Sequence, residues 1–380
     1  MVSRSLCNLN PPYCKRLSVP VWAGYFSMIL RTLSSWMLLC GAGLSFCLSA
    51  CSSIDPVTPI PIEPDSSSHD FIWEEISIGD DHSWLLDVYA LNDTDVWAVG
   101  MITTRDGMNK LVEHNAIHWD GRTWEIVDVP VWLPGTKYHV PGHLNSVFAF
   151  SHDNVWFGSG FPVRWDGKKF VNDSLLYGAL PGGISRMWGS KPDDVYLVGP
   201  AGALAHYNGR DYRILNSGIT YDFNDVWGHG DTALCVASTW LFDKSPSYVY
   251  RLVNGKAEQA YMKSLPRSMV SIWFCPGMRQ LTCVGGWHLE WNGTQWVPSK
   301  EKSPLRFVEV GIRGNSPVDF FVVDQARGIA HYNGKSWSLH RVGEDGDCLF
   351  HAISCTKDQV WAVGTDARDR TLIVHGRRVK

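Results

Sequence analysis

One phrase constrains this 380-residue chain more than any other feature: Asp95-Val96-Trp97-Ala98-Val99-Gly100, followed downstream by His118-Trp119-Asp120-Gly121-Arg122-Thr123-Trp124. It returns in altered wording along the sequence. Trp156-Phe157-Gly158 precedes Arg164-Trp165-Asp166-Gly167, and Asp194-Val195-Tyr196-Leu197-Val198-Gly199 precedes His206-Tyr207-Asn208-Gly209. Thr282-Cys283-Val284-Gly285 precedes Glu290-Trp291-Asn292-Gly293, Phe321-Val322-Val323 precedes His331-Tyr332-Asn333-Gly334, and Asp358-Gln359-Val360-Trp361-Ala362-Val363-Gly364 opens the last copy. A period of roughly 40 residues built from short aromatic and β-branched runs is the signature of a β-propeller. Asp-Gly or Asn-Gly falls in register six times, at 120–121, 166–167, 208–209, 254–255, 292–293 and 333–334. Between β-rich runs that dipeptide predicts a type I′ hairpin, with φ > 0 at both central residues.

Each copy divides into four strands. The first ends in an apolar–aromatic pair (Val88-Tyr89, Val147-Phe148, Met187-Trp188, Val226-Trp227, Ile272-Trp273), and the second is the Asp-Val-Trp phrase. The third ends at the Gly turn and the fourth follows it. First strands start near Leu85, Leu144, Ile184, Phe223, Val270, Phe307 and Leu349. The last copy stops after His375-Gly376-Arg377 with no fourth strand, whereas an orphan, Phe71-Ile72-Trp73-Glu74-Glu75-Ile76, precedes the first. The expected fold is therefore all-β: one seven-bladed β-propeller over 71–380, with four-stranded antiparallel blades, closed by residues 71–78 pairing into the last blade. Closure of this kind removes a free sheet edge. The 19 Trp side chains fit this plan as fillers of the wedge between blades, hence core and not a ligand box.

Ahead of the repeats lies a segment of another character. Arg31 supplies a positive charge if translation starts at Met28 rather than Met1, and Trp36 to Ala50 form a short apolar run that fits an export signal better than the alternative of an uncleaved anchor helix. Leu48-Ser49-Ala50-Cys51 resembles the lipobox of bacterial lipoprotein signals. The resemblance implies cleavage before Cys51, a thiol that carries diacylglycerol, palmitate among the acyl groups, and a lipid anchor. Ser52 rather than Asp follows, so the expected site is the outer membrane of the bacterial envelope. Residues 1–50 are then the signal and 51–70, rich in Pro and Ser, an extended tether. Loss of Arg4, Lys15, Arg16 and Arg31 from the 34 basic side chains leaves 30 against 38 acidic ones. A balance of about −8 argues against nucleic acid, which calls for a basic stripe.

Five cysteines remain after Cys51, an odd number, so at least one is unpaired in a monomer. Cys235 and Cys283 fall in an apolar strand column; Cys275 could bridge to Cys283 across the Pro276-Gly277 hairpin, whereas Cys348 and Cys355 stand too far apart along one strand.

No nucleophile elbow, phosphate loop or His-Glu-x-x-His motif occurs. The residue before each apolar–aromatic pair should face the central channel: Asp87, Ser146, Arg186, Asp225, Ser271, Glu309 and His351. Asp87, Arg186, Asp225, Glu309 and His351 are accordingly candidate ligands for a small polar molecule, against the alternative of a merely solvated lining. His114 and His118, and His139 and His143, are four apart, but on a strand that spacing is roughly 13 Å and no metal site is expected. Blade one has a long insert, Met101 to Asn115, and a Pro-rich connection from Pro130 to Pro141 follows it. Blade four has an excursion at Trp240 to Ser247. Long loops commonly carry binding, which singles out Trp132, Tyr138, His139 and His143 as partner contacts.

The Asp-Gly-x-Thr-Trp segment at 120–124 resembles the end of the Asp-box of neuraminidase-type and photosystem II assembly factor-type propellers, without its Ser-x-Asp start. More fully, the repeat wording over 71–378 resembles a group of exported bacterial propeller-repeat lipoproteins. The resemblance implies fold and export, not an activity, and the sialidase Arg triad and Tyr nucleophile cannot be assigned. The leading expectation is a monomeric, membrane-anchored, non-enzymatic scaffold, without cofactor, presenting loops to a protein or glycan partner. The alternatives are an enzyme acting on a polysaccharide or small polar substrate in the channel, and an assembly factor for an envelope complex.

Overall fold

The computed structural model describes residues 66–239, 246–275, 280–284, 287–343 and 348–380. Cys51, most of the tether, the tip of the blade-four excursion and the Pro276-Gly277 turn lie outside the described residues. All described residues belong to one compact unit.

Seven four-stranded antiparallel sheets form the blades. In blade one the strands are Trp84–Asn92, Asp95–Arg105, Leu111–Trp119 and Trp124–Val127, ordered from the channel outward. Blade seven takes three strands from the C-terminus, Leu349–Cys355, Gln359–Thr365 and Thr371–Arg378, and its fourth from the N-terminus. Phe71–Ile76 pairs with Thr371–Arg378 in unbroken register, Phe71 opposite Arg378 and Ile76 opposite Ile373. The orphan segment thus closes the ring.

The repeated wording has a physical explanation on three levels. The aromatic residue of the second strand is buried: Trp97, Trp156, Tyr196, Phe321 and Trp361. A histidine of the third strand lies against it, as in Trp97–His118 (centroids 4.3 Å), Tyr196–His206 (4.7 Å), Phe321–His331 (4.4 Å) and Trp361–His375 (4.9 Å). The Asp that opens the phrase then fixes that histidine. Nε2 of His118, His206 and His331 donates to Asp95, Asp194 and Asp319 at 2.8, 2.6 and 2.7 Å. The closing Gly permits close approach to the first strand: a Cβ on Gly100 or Gly364 would sit 2.1 or 1.8 Å from the carbonyl oxygen of Trp84 or Leu349.

The Gly turns depart from expectation. Only Asn254-Gly255 has φ > 0 at both central residues (50° and 67°), in a two-residue loop between Val253 and Lys256. In the other five the Gly alone is left-handed. There the loop has four residues, and the Asp or Asn side chain accepts two backbone N–H bonds. Asp120 Oδ1, for example, takes those of Arg122 and Thr123 at 2.7 and 2.8 Å. Such side-chain-closed turns use the same residues for a different reason.

Candidate functional site

Five of the seven blades shift register beside the channel in their first strand, between Leu85 and Asp87, Phe223 and Asp225, Met269 and Ser271, Glu309 and Gly311, and Phe350 and Ala352. Beyond the bulge, Asp87, Asp225 and Ser271 occupy one column with Ser146 and Arg186. Gly311 and Ala352, not Glu309 and His351, complete it. Glu309 is a correction to the sequence reading. It sits before the bulge, is fully buried, faces His288 at 3.7 Å, and is not among the residues lining the channel. His351 is itself the bulged residue, yet it lines the channel with Asp87, Arg186, Asp225 and Ser271.

Arg313, which the sequence pattern does not single out, dominates this space. Arg313 occupies the blade-six position that is aromatic in most other blades, opposite Phe321 as Tyr89 is opposite Trp97. The spacing contained the signal: Ile312 stands seven positions before Asp319, as Val88 does before Asp95 and Met187 before Asp194. Arg313 reaches from blade six to blade four. Its Nη1 and Nη2 donate to Asp225 Oδ2 and Oδ1, both at 2.9 Å, and its guanidinium lies 4.5 Å from the Trp227 ring centroid. Ser271 Oγ also donates to Asp225 Oδ2, at 2.6 Å, and the backbone N–H of Ile272 at 3.0 Å. Burial acts against both charges. It is outweighed by their mutual attraction, which holds Asp225 below and Arg313 above their ordinary pKa values.

This plug leaves a cavity of about 20 Å³, room for little more than a water molecule. Asp87, on its wall, is pushed up by burial, with Arg186 opposing; Val147 N–H donates to its Oδ2 at 3.1 Å. Above the plug the channel opens into a shallow mouth of about 350 Å³, lined by Asn145, Ser185, Arg186, Pro200, Phe350 and His351 among others. The Arg186 Nη1 donates to the carbonyls of Ser185 and Asn145, at 2.9 and 3.3 Å. The Nδ1 of His351 donates to Leu85 O at 2.8 Å, and burial lowers its pKa. The neutral ring therefore carries its proton on Nδ1 and keeps Nε2 as an acceptor.

The connection from blade one to blade two lies on this same face, because it runs from the end of an outer strand to the start of an inner one. It is a small hairpin, Val131–Trp132 paired with His139–Val140. Trp132 is half-buried: its indole N–H donates to Thr136 O at 2.8 Å, and its ring meets Phe161 and Tyr177. Tyr138, 62% exposed, projects with His139 and His143, which are also exposed. Of the paired histidines, His114 contacts Thr104 and Asp128, whereas His118 belongs to the Asp95 unit. Cys235 is buried, its thiol pKa raised by burial, and Cys348 and Cys355 are free thiols.

No family model and no curated protein matches this chain. Among solved structures it is similar to YCF48 bound to D1 peptide, at 17% identity and TM-score 0.60 over 83% of this chain and 98% of that one. It is also similar to YCF48 from Cyanidioschyzon merolae, at 15% identity and TM-score 0.56, covering 80% and 98%. The propeller domain of Cps50 (Swd1) from Myceliophteria thermophila gives 10% identity and TM-score 0.53, covering 81% and 100%. At these identities the likeness is one of fold.

Proposed function

We propose that this chain is a non-enzymatic protein-binding scaffold of the assembly-factor kind, which takes a polypeptide segment of its partner on the face that carries the channel mouth. The observation that carries this reading is the Arg313–Asp225 plug. It leaves about 20 Å³ beside Arg313 and Asp225, so the space around the plug does not hold a polysaccharide or small-molecule substrate. Recognition then falls to the outer face, where the mouth offers guanidinium, imidazole and backbone donors and acceptors beside an exposed hairpin. One solved propeller of similar fold is bound to a peptide, which favours a protein partner over a glycan.

In this reading Arg186 and His351 contact the bound segment, and Tyr138, His139 and His143 extend the surface. Trp132 holds the hairpin and touches the partner only at its edge. Cys51 carries the lipid anchor at the envelope membrane, and the Pro- and Ser-rich residues 51–70 join it to the propeller. A crosslinking pull-down from intact envelopes tests the proposal, with Cys51→Ala as the anchoring control. The expected result is one reproducible protein partner, retained by the parent and reduced at least about tenfold by Tyr138→Ala with His139→Ala. Retention of the same partner by that double variant, or binding to glycans alone, contradicts it.

A further inference from the structure

The Asp–His unit of the repeat recurs in blades one, three and six, and in blade one it has an addition. Asp95 is buried and its two carboxylate oxygens are taken separately: His118 Nε2 donates to Oδ1 at 2.8 Å, and His152 Nδ1 donates to Oδ2 at 3.1 Å. His152 comes from the neighbouring blade, in the turn between Ser146–Ser151 and Asn154–Gly158. One ligand atom from each of the three side chains lies within 4.8 Å of the others. The corresponding carboxylates are engaged differently. In blade three Ser190 Oγ donates to Asp194 at 2.5 Å. In blade six Asn315 and Ser67 donate to Asp319, and Arg378 brings a positive charge to it at 2.9 Å. The repeat therefore explains Asp95–His118 as architecture but does not explain His152.

We propose that Asp95, His118 and His152 form a binding site for a divalent first-row transition ion, of which Zn²⁺ is the best match. Two imidazole nitrogens and a carboxylate oxygen are a ligand set that Zn²⁺ takes at about 2.0–2.2 Å, leaving a fourth position for water. Donors on a tetrahedral ion at such distances stand roughly 3.3 Å apart, so the cluster needs only a small adjustment. His152, with its side chain 70% exposed, is free to make it. Each neutral imidazole coordinates through the nitrogen that now faces Asp95 and moves its proton to the other ring nitrogen. The Trp97 ring beside His118 fixes that ligand's plane. The bound ion clips blade one to blade two on the face opposite the mouth, where the Gly turns lie.

Zn²⁺ titration of the purified full chain by calorimetry, with Co²⁺ absorption as the report on ligand type, tests the site. One equivalent is expected, with a Co²⁺ spectrum free of thiolate charge transfer. Affinity should fall at least about tenfold in His152→Ala, whose exposed side chain the fold does not need. His206→Ala, which breaks the blade-three unit, should leave it unchanged. Absence of stoichiometric binding, or a His152→Ala protein that binds as tightly as the parent, overturns the assignment.

Discussion

Two side chains at opposite ends of the Asp–His unit, His375 in blade seven and Asp319 in blade six, respond to burial in opposite directions. In blade seven Gln359 stands where blades one, three and six have Asp, and His375 Nε2 faces Gln359 Oε1 at 2.6 Å. With no carboxylate hydrogen-bonded to it, burial pushes the His375 pKa down to about 4, helped by the charge of Arg377 and opposed by that of Asp93. A base depressed in the folded state favours folding while it is neutral. Its contribution is full above about 6.5 and is lost as pH falls toward 4, a change of roughly 3 kcal/mol at most. Urea unfolding across that window should show the loss, and His375→Gln should flatten the slope. Asp319 is the reverse. Burial alone would raise its pKa, but hydrogen bonds from His331, Asn315 and Ser67 and the charge of Arg378 bring it to about 2. That carboxylate stabilises the fold above about 4 and loses its effect as pH falls toward 2, so Asp319→Asn should remove the acid-dependent part below pH 4. Arg313 gives a third test. Arg313→Ala leaves Asp225 buried without its partner and should cost about 3–5 kcal/mol, whereas Asp225→Val with Arg313→Met should cost less than either single change. Chemical denaturation of Arg313→Ala, Asp225→Val and the double variant checks the order.

At the scale of elements, the strand Phe71–Ile76 closes the ring through pairing and through side chains. Trp73 stacks on His340 with centroids 4.2 Å apart and the planes 5° from parallel, and the Arg378 guanidinium lies 4.7 Å from the Phe71 ring while bonding Asp319 of blade six. Removal of residues 66–78 should abolish the single cooperative thermal transition; an unchanged melt would show that the seam holds without it. This closure, the blade count and the buried aromatic columns were legible in the sequence because each repeats, and a repeat averages out local irregularity. What was not legible depends on one-residue events. The bulges beside the channel leave no mark in composition, so Glu309 was placed on the channel although it lies before the bulge. Arg313 was passed over because it interrupts the apolar–aromatic pattern used to find the strand. The Gly turns were located but mistyped, since Asp-Gly serves both a two-residue loop and a four-residue loop closed by the Asp side chain. His152 drew no attention because its partners, Asp95 and His118, lie on another blade.

For the whole molecule, the two faces have separate characters. One carries the Asp–His units, the Gly turns and, ahead of the first strand, the segment around Ser67: Asn333 Nδ2 donates to Ser67 O at 3.0 Å. The other carries the mouth and the 131–140 hairpin. Seven blades packed through buried aromatic residues make a rigid body, and a rigid body with a plugged channel offers a partner its surface rather than its interior. The most direct test is site-specific photocrosslinking in intact envelopes, with the reactive group at Tyr138 on the mouth face or at Arg122 on a Gly turn of the opposite face. A single protein adduct from position 138 and none from position 122 is the predicted result. Adducts from position 122 alone would contradict the account and place the partner on the turn face.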